Sequence, residues 1–412
     1  MMSKIKIGYK LKDFLDFRVF IPTLLLTIIG LLAIYSSTNS NPTAESNFQK
    51  QLFWAIISFM VLLVIVAIPN QILKLLAKPG YILSIIFLIA VHVMGKQVYG
   101  AKSWLNLGFF GFQPSEFAKI GTIMMLAYWL TDQQRDLNNI KDITIALAIG
   151  GIPILLILAE PDFGTSIVFV TITITMIFWS GINLFTLFVV LAPGFAAFSS
   201  LFGTLFFIIT ILVIVAILFY FKKNIFISAS VLIFNIAAGF FIDFAMRFLR
   251  PHQQDRILTF VNPEADPLGA GYNSMQAKVA IGSGGFFGKG YLQGNQTQLN
   301  FIPEQWTDFI FCVIGEEFGF IGSIITIGLF LYMFIHILDL ATHIDNKFSS
   351  LLLVGILAMF FTHFAINLGM NLNVTPVVGL PLPFLSYGGS SFLANIILIA
   401  ITLNIFRNRK QG

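Results

Sequence analysis

Apolar runs long enough to cross a bilayer recur along almost the whole chain, and they restrict the fold more than any other feature. A membrane-spanning helix needs about 20 predominantly apolar residues. Twelve candidate runs lie near 19–37, 52–69, 78–95, 115–131, 143–159, 163–181, 184–201, 203–221, 225–249, 312–340, 349–371 and 389–407. Charged residues make up only 10% of the 412 residues and hydrophobic residues 57%, whereas soluble domains carry about a quarter charged residues. The expected fold is all-α: a polytopic transmembrane helical bundle of about twelve helices, forming one transmembrane domain over 1–412 without a soluble appendage.

The charges orient this bundle. Lys4, Lys6, Lys10, Lys12 and Arg18 precede the first run, which is too long for a signal-peptide core and has no convincing cleavage site after it, so it is read as a retained helix. With this end in the cytoplasm, alternation puts Lys74, Lys78, Arg135, Lys141, Lys222, Lys223, Lys347, Arg407, Arg409 and Lys410 on the cytoplasmic side, as the positive-inside rule requires. Both termini are then cytoplasmic. The net charge of +5 is spread over short loops; with no basic stripe, nucleic acid is excluded as a partner. Cys312 is the one cysteine. It excludes an internal disulfide and reads as a small packing residue.

Four polar, Gly- and Pro-rich segments fall on the opposite, outer face: Gly95–Pro114, the turn Glu160–Asp162, the loop 250–311 and Asn373–Gly389. The long loop concentrates most of the polar chemistry. Asp308 is its sharpest candidate, because an acid at a membrane boundary is costly to desolvate and burial moves its pKa toward general-base range. The alternative is that Thr307 or Asp308 caps the helix that follows. Glu304 is either a second acid or a water-facing residue. Glu316 and Glu317 enter the next helix about 100° apart; at least one should face the interior and pair with a cation or a backbone group. Glu116 and Lys119, three residues apart, either neutralise each other or present Lys119 to an anion in the outer cavity. Arg247, Arg250, Arg256, Lys278 and Lys289 are cations against the usual bias, suited to a diphosphate or to lipid headgroups. Gln276 lies in the same loop. Ile281–Gly290 is glycine-rich without the phosphate-loop form GxxxxGK[ST], and its glycines suit close backbone approach to a ligand. Pro376–Ser391 reads as irregular backbone forming a cavity wall. His92, His252 and His363 are isolated, with no metal-ligand spacing.

Together GAKSWLNLGFFGFQPSEFAK, EPDFGTS, LRPHQQDRILTFVNPEADPLGAGY, AIGSGGFFGKG, FIPEQWTDFIF with GEEFG, and NLGMNLNVTPVVGLPLPFLSYGGSS resemble the SEDS family of bacterial cell-wall proteins. The DPLGAGY and AIGSGG forms resemble its RodA branch. The resemblance implies a ten-helix core, so the run Gly181–Leu249 holds an extra helical pair near 184–222. It implies a peptidoglycan glycosyltransferase that polymerises lipid II at the outer face of the bacterial cytoplasmic membrane during cell elongation. It makes Asp308 the catalytic acidic residue and gives Glu116, Lys119, Asp162, Lys289 and the Ser386–Ser390 loop as cavity residues. Arg250, Arg256, Gln276 and Glu304 are grouped with them as substrate contacts. It also implies a class B penicillin-binding protein as partner and undecaprenyl-diphosphate-linked glycan as the growing chain. Trp306 departs from the family pattern, which has His before the TD pair. A diphosphate leaves without a proton, so one carboxylate suffices where glycoside hydrolysis uses two. Asp308 then acts as base toward the acceptor hydroxyl, or as ligand for a divalent cation such as Mg2+. A lipid II flippase and a non-enzymatic scaffold are the rival functions.

Overall fold

The computed structural model describes residues 15–98, 101–106, 111–132, 140–181, 183–222, 224–246 and 272–409. All twelve apolar runs are helical: α1 (Phe17–Asn39), α2 (Ser46–Ala67), α3 (Asn70–Met94), α4 (Pro114–Leu130), α5 (Ile140–Ala159), α6 (Phe163–Trp179), α7 (Leu184–Ser200), α8 (Thr204–Phe221), α9 (Ile225–Met246), α12 (Ile310–His343), α13 (Lys347–Asn371) and α14 (Gly389–Asn408). Two short helices, α10 (Tyr272–Ser283) and α11 (Asn295–Gln298), lie in the long loop. Among the described residues, eight helices are long and apolar enough to cross a membrane, and α6, α7 and α9 contain shorter apolar helices.

The chain divides into two compact units, 181–275 and the remainder. In the first, α7, α8 and α9 close around Ala192, Ala196, Ile214, Leu218 and Val231. The pair of alanines one turn apart lets the helices approach, as small residues do where lipid is the solvent. In sequence, α7 and α8 coincide with the expected extra pair.

In the larger unit α13 and α14 are the most enclosed helices. They are apolar around most of their circumference, which is the pattern of a buried helix. α2 packs on α14, α3 on α4, α12 on α1 and α13, and α6 on α5 and α13. α2 and α3 leave Phe53, Leu63, Val64 and Ile82 exposed, as lipid-facing helices must. A small antiparallel sheet joins α3 to α4: β1 (Lys96–Val98), β2 (Ala101–Asn106) and β3 (Gly111–Phe112), with Leu105 opposite Phe112.

α12 is interrupted. Gly319 has φ 63° and ψ −155°, which breaks the i→i−4 ladder and frees two donors and two acceptors. The glycine tract supplies their partners. Phe320 N–H donates to Gly285 O (2.9 Å) and Ile321 N–H to Phe286 O (3.2 Å), while Lys289 and Gly290 N–H donate to Glu316 O (3.0 Å) and Glu317 O (3.1 Å). A Cβ on Gly288 would lie 2.1 Å from Glu317 O, and one on Gly284 2.0 Å from Gly315 O. The close approach of this tract at Gly284 and Gly288 is therefore to α12. Broken helices at membrane depth need such substitute partners.

Candidate functional site

Asp308 sits one residue before the N-cap of α12. That cap is Phe309, whose own side chain makes no capping hydrogen bond, so neither Thr307 nor Asp308 stands at the N-cap position. Thr307 Oγ1 instead donates to Glu304 O (2.9 Å). Three consecutive carbonyls lead up to the helix, and each is held. Tyr387 N–H donates to Trp306 O (2.8 Å), Ser386 Oγ to Thr307 O (2.6 Å), and Asn367 Nδ2 and Asn371 Nδ2 to Asp308 O (2.9 and 3.2 Å). The half-buried Asp308 carboxylate lies along Gly379, where an added Cβ would be 3.4 Å from Oδ2. Gly379 has φ +73°, a conformation that favours glycine.

Two of the four partners of this segment come from one stripe of α13. His363, Asn367 and Asn371 are spaced i, i+4, i+8 and so share a helix face; all three are at most 1% exposed. Metal-ligand spacing alone leaves His363 isolated and gives the two asparagines no weight. The signal that links them is a polar residue at every fourth position of an apolar helix. His363 Nδ1 lies 3.0 Å from Pro381 O, which can only accept, so Nδ1 carries the proton and Nε2 accepts from Lys119 Nζ at 3.1 Å.

Lys119 is fully buried and also donates to Glu116 Oε1 at 2.8 Å. The self-neutralising pair expected from the i, i+3 spacing is thus formed, with His363 as a third member that ties it to the 381 backbone. Asp162 caps α6, accepting from Thr165 N (3.0 Å) and Thr165 Oγ1 (2.8 Å). Burial pushes its carboxyl pKa up, the Thr165 hydrogen bonds oppose this, and both Lys119 and Glu116 act on it electrostatically. Gly164 brings α6 against the same loop: a Cβ there would lie 2.5 Å from Val378 O. Ser390 Oγ donates to Gly111 O (3.1 Å) and accepts from Gln113 N–H (3.3 Å). The segments 111–113, 160–164, 304–309 and 376–390 therefore meet at one end of the bundle, as the charge pattern predicts.

The remaining candidates are placed differently. Lys289 Nζ is 2.8 Å from Glu316 Oε1, and Glu316 is fully buried while also accepting from Gln296 N, Thr297 N and Thr297 Oγ1. Glu316 is thus the acid that pairs with a cation and backbone groups, and Lys289 pins the loop to α12. Glu317 turns to Ser36 and Gln298. Glu304 and Gln276 are half-buried. Cys312 is buried and free. Arg247, Arg250, Arg256 and His252 lie outside the described residues.

Chemically, the arrangement offers one carboxylate whose backbone is fixed from three directions, with a buried ammonium–carboxylate–imidazole group behind the adjoining loop. Among the described residues no three His, Cys, Asp or Glu side chains gather as a metal site. Mg2+ binds through one or two carboxylates together with substrate phosphates, so Asp308 would hold such an ion only jointly with the diphosphate of a bound substrate.

The comparisons with known proteins agree with this architecture. The chain is 36% identical to the peptidoglycan glycosyltransferase RodA of Treponema pallidum, over 95% of this chain and 97% of that protein. It is 32% identical to the peptidoglycan glycosyltransferase MrdB of Escherichia coli K12, over 95% and 94%, and 30% identical to stage V sporulation protein E of Bacillus subtilis, over 95% and 97%. Among solved structures, a chain of a peptidoglycan synthase complex that coordinates polymerization and crosslinking superposes with TM-score 0.75 at 25% identity, over 97% of this chain and 99% of that one. The rod shape determining protein RodA of Thermus thermophilus has TM-score 0.65 at 22% identity, covering 97% and 98%, and shares the fold. The family described as cell cycle protein, FtsW/RodA/SpoVE, matches residues 17–206 and 187–411, and the chain belongs to that family.

Proposed function

We propose that this protein is a peptidoglycan glycosyltransferase that polymerises lipid II at the outer face of the bacterial cytoplasmic membrane, with both termini in the cytoplasm. The observation that carries the site assignment is the backbone clamp on Asp308. Three successive carbonyls at 306–308 are held by Tyr387, Ser386, Asn367 and Asn371, at the point where four polar segments meet. A carboxylate whose backbone is held in this frame is suited to a single proton-transfer task.

Asp308 accepts the proton of the acceptor sugar's 4-hydroxyl as that oxygen attacks the anomeric carbon of the lipid-linked donor. The bond to the diphosphate breaks with inversion, and the undecaprenyl diphosphate leaves without a proton. General-base assistance contributes about 10²–10⁴ in rate, and the geometry of approach supplies much of the rest. The donor set around Asp308 does not by itself build a cation site, so no step is routed through a metal. Glu116, Lys119 and Asp162 shape the wall next to the 376–382 backbone, and Arg250, Arg256, Gln276 and Glu304 complete the substrate contacts. A class B penicillin-binding protein crosslinks the new strand, as the likeness to a chain of a synthase complex supports.

The test is polymerisation of lipid II by the purified protein with its cognate penicillin-binding protein, whose crosslinking is blocked by a β-lactam. Wild type should give a ladder of glycan strands, and a normally folded Asp308→Asn variant none. Equal ladders would remove Asp308 from the mechanism. No ladder from either protein would favour a flippase or a scaffold.

A further inference from the structure

The α13 amides hold Asp308 in a way that its role in the helix does not require. The first N–H groups of a helix have no partner within it and are satisfied by side chains, water or ligands. Here Cys312 N–H is satisfied by Phe309 O (3.0 Å) and by Asn371 Oδ1 (3.2 Å), while Asp308 O is turned sideways to accept two amide donors from α13. Asn367 spends both Nδ2 hydrogens on backbone, one on Asp308 O (2.9 Å) and one on Leu380 O (2.8 Å). One planar NH2 group therefore sets the separation between the turn that bears Asp308 and the loop it faces. Gly379, next to Leu380, is where the Asp308 carboxylate lies. Asn371 Nδ2 reaches Asp308 O (3.2 Å), Asn367 O (2.9 Å) and Asn367 Oδ1 (3.2 Å), so it orients the Asn367 amide as well as adding a second hold on the carbonyl.

Both amides are fully buried. Two buried carboxamides in an apolar span are costly unless their donors and acceptors are paired, and apart from the bond of Asn371 to its own helix at Asn367 O, the hydrogen bonds made by their Nδ2 groups either hold the Asp308–Leu380 gap or orient the other amide. We propose that Asn367 and Asn371 are positioning residues: Asn367 sets the distance between the Asp308 carboxylate and the Gly379–Leu380 backbone, and Asn371 fixes the orientation of the Asn367 amide. This rests on Asp308 being the base of the proposed polymerisation. Substrate itself is not touched by either amide in this role, so affinity for it should be preserved while the chemical step slows.

The experiment measures kcat and KM for lipid II on wild type, Asn367→Ala, Asn371→Ala and Asp308→Asn, in complex with the penicillin-binding partner and with thermal midpoints recorded for each. A misplacement of about 1 Å at a reacting group costs about 10²-fold in rate. Asn367→Ala should lower kcat by about that factor and leave KM within about twofold. Asn371→Ala should lower kcat less, because Asn367 still reaches Asp308 O. If Asn367→Ala fails to fold, the Asn371→Ala result decides: a lowered kcat at unchanged KM supports the assignment. Wild-type kcat in the folded asparagine variants, or a rise in KM at unchanged kcat, overturns it. If Asp308→Asn retains wild-type activity, the base assignment fails instead, and the two failures are told apart within one data set.

Discussion

Replacing Gly288 by alanine tests whether the glycine tract serves to splice the broken α12. Two costs follow from the geometry. Gly288 has φ +85°, and an L-residue in the left-handed region pays about 1–2 kcal/mol. In addition the new Cβ would lie 2.1 Å from Glu317 O, a backbone atom that cannot swing aside. The loop must back away, and the hydrogen bonds from Lys289 and Gly290 N–H to Glu316 and Glu317 O are the first to be lost. At a net worth of about 1 kcal/mol each, they add about 2 kcal/mol. Gly285→Ala is the control: its φ is +59°, but nothing lies within 4 Å of the added Cβ, so only the conformational cost applies. Amide hydrogen exchange of residues 289, 290, 320 and 321 in detergent reads the difference. A 2 kcal/mol excess is about 30-fold in the opening equilibrium, so these amides should exchange about 30-fold faster in Gly288→Ala than in Gly285→Ala. Equal exchange in the two variants would refute the splice as the reason for the glycine.

Two further outcomes are expected. Lys119→Met should destabilise the protein by about 3–5 kcal/mol, because it strands the buried Glu116 carboxylate, whereas Glu116→Gln with Lys119→Met together should recover most of the loss in thermal unfolding; equal losses in the single and double variants would contradict the pairing. Burial pushes the Glu160 carboxyl up to about 8 from its usual 4.5, partly opposed by the neighbouring Ser103 hydroxyl, so the fold favours its neutral form. Such a group contributes stability that is complete below pH 4.5 and is lost as pH rises through about 8. The thermal midpoint of wild type should therefore fall more between pH 5 and pH 9 than that of Glu160→Gln, and parallel pH profiles would show that this carboxyl is not the source.

The helices are legible in the sequence because the bilayer fixes their length and demands apolar composition, so even the described part of the run 184–249 divides into the three helices expected. The sheet of 95–112 is not, since its strands are as short as two residues and carry no periodicity of their own. The glycine tract announces a close backbone approach, but local sequence cannot say what approaches; only the interruption at Gly319, some thirty residues later, gives it a partner. Asp308 stands out as an acid at a boundary, whereas the residues that hold it do not.

Two of those residues, Asn367 and Asn371, nevertheless share with other groups a property visible in the sequence alone. Lys119, Glu316, Glu317, His363, Asn367 and Asn371 are polar groups inside apolar helices, and all are buried. Considered singly, each is ambiguous between an inter-helix contact and a site residue, which is why His363 reads as isolated. Taken by helical spacing they separate: His363, Asn367 and Asn371 fall on one face, and that face meets the loop backbone at 380–381 and the carbonyl of Asp308. A single buried polar group can be satisfied within its own helix, as Thr362 is by Ala358 O. A row of three with long side chains needs acceptors elsewhere, and in a membrane bundle the only unpaired acceptors in quantity belong to irregular backbone. The spacing of polar residues on a core helix therefore points to the non-helical segments it holds, which here are the segments that place Asp308.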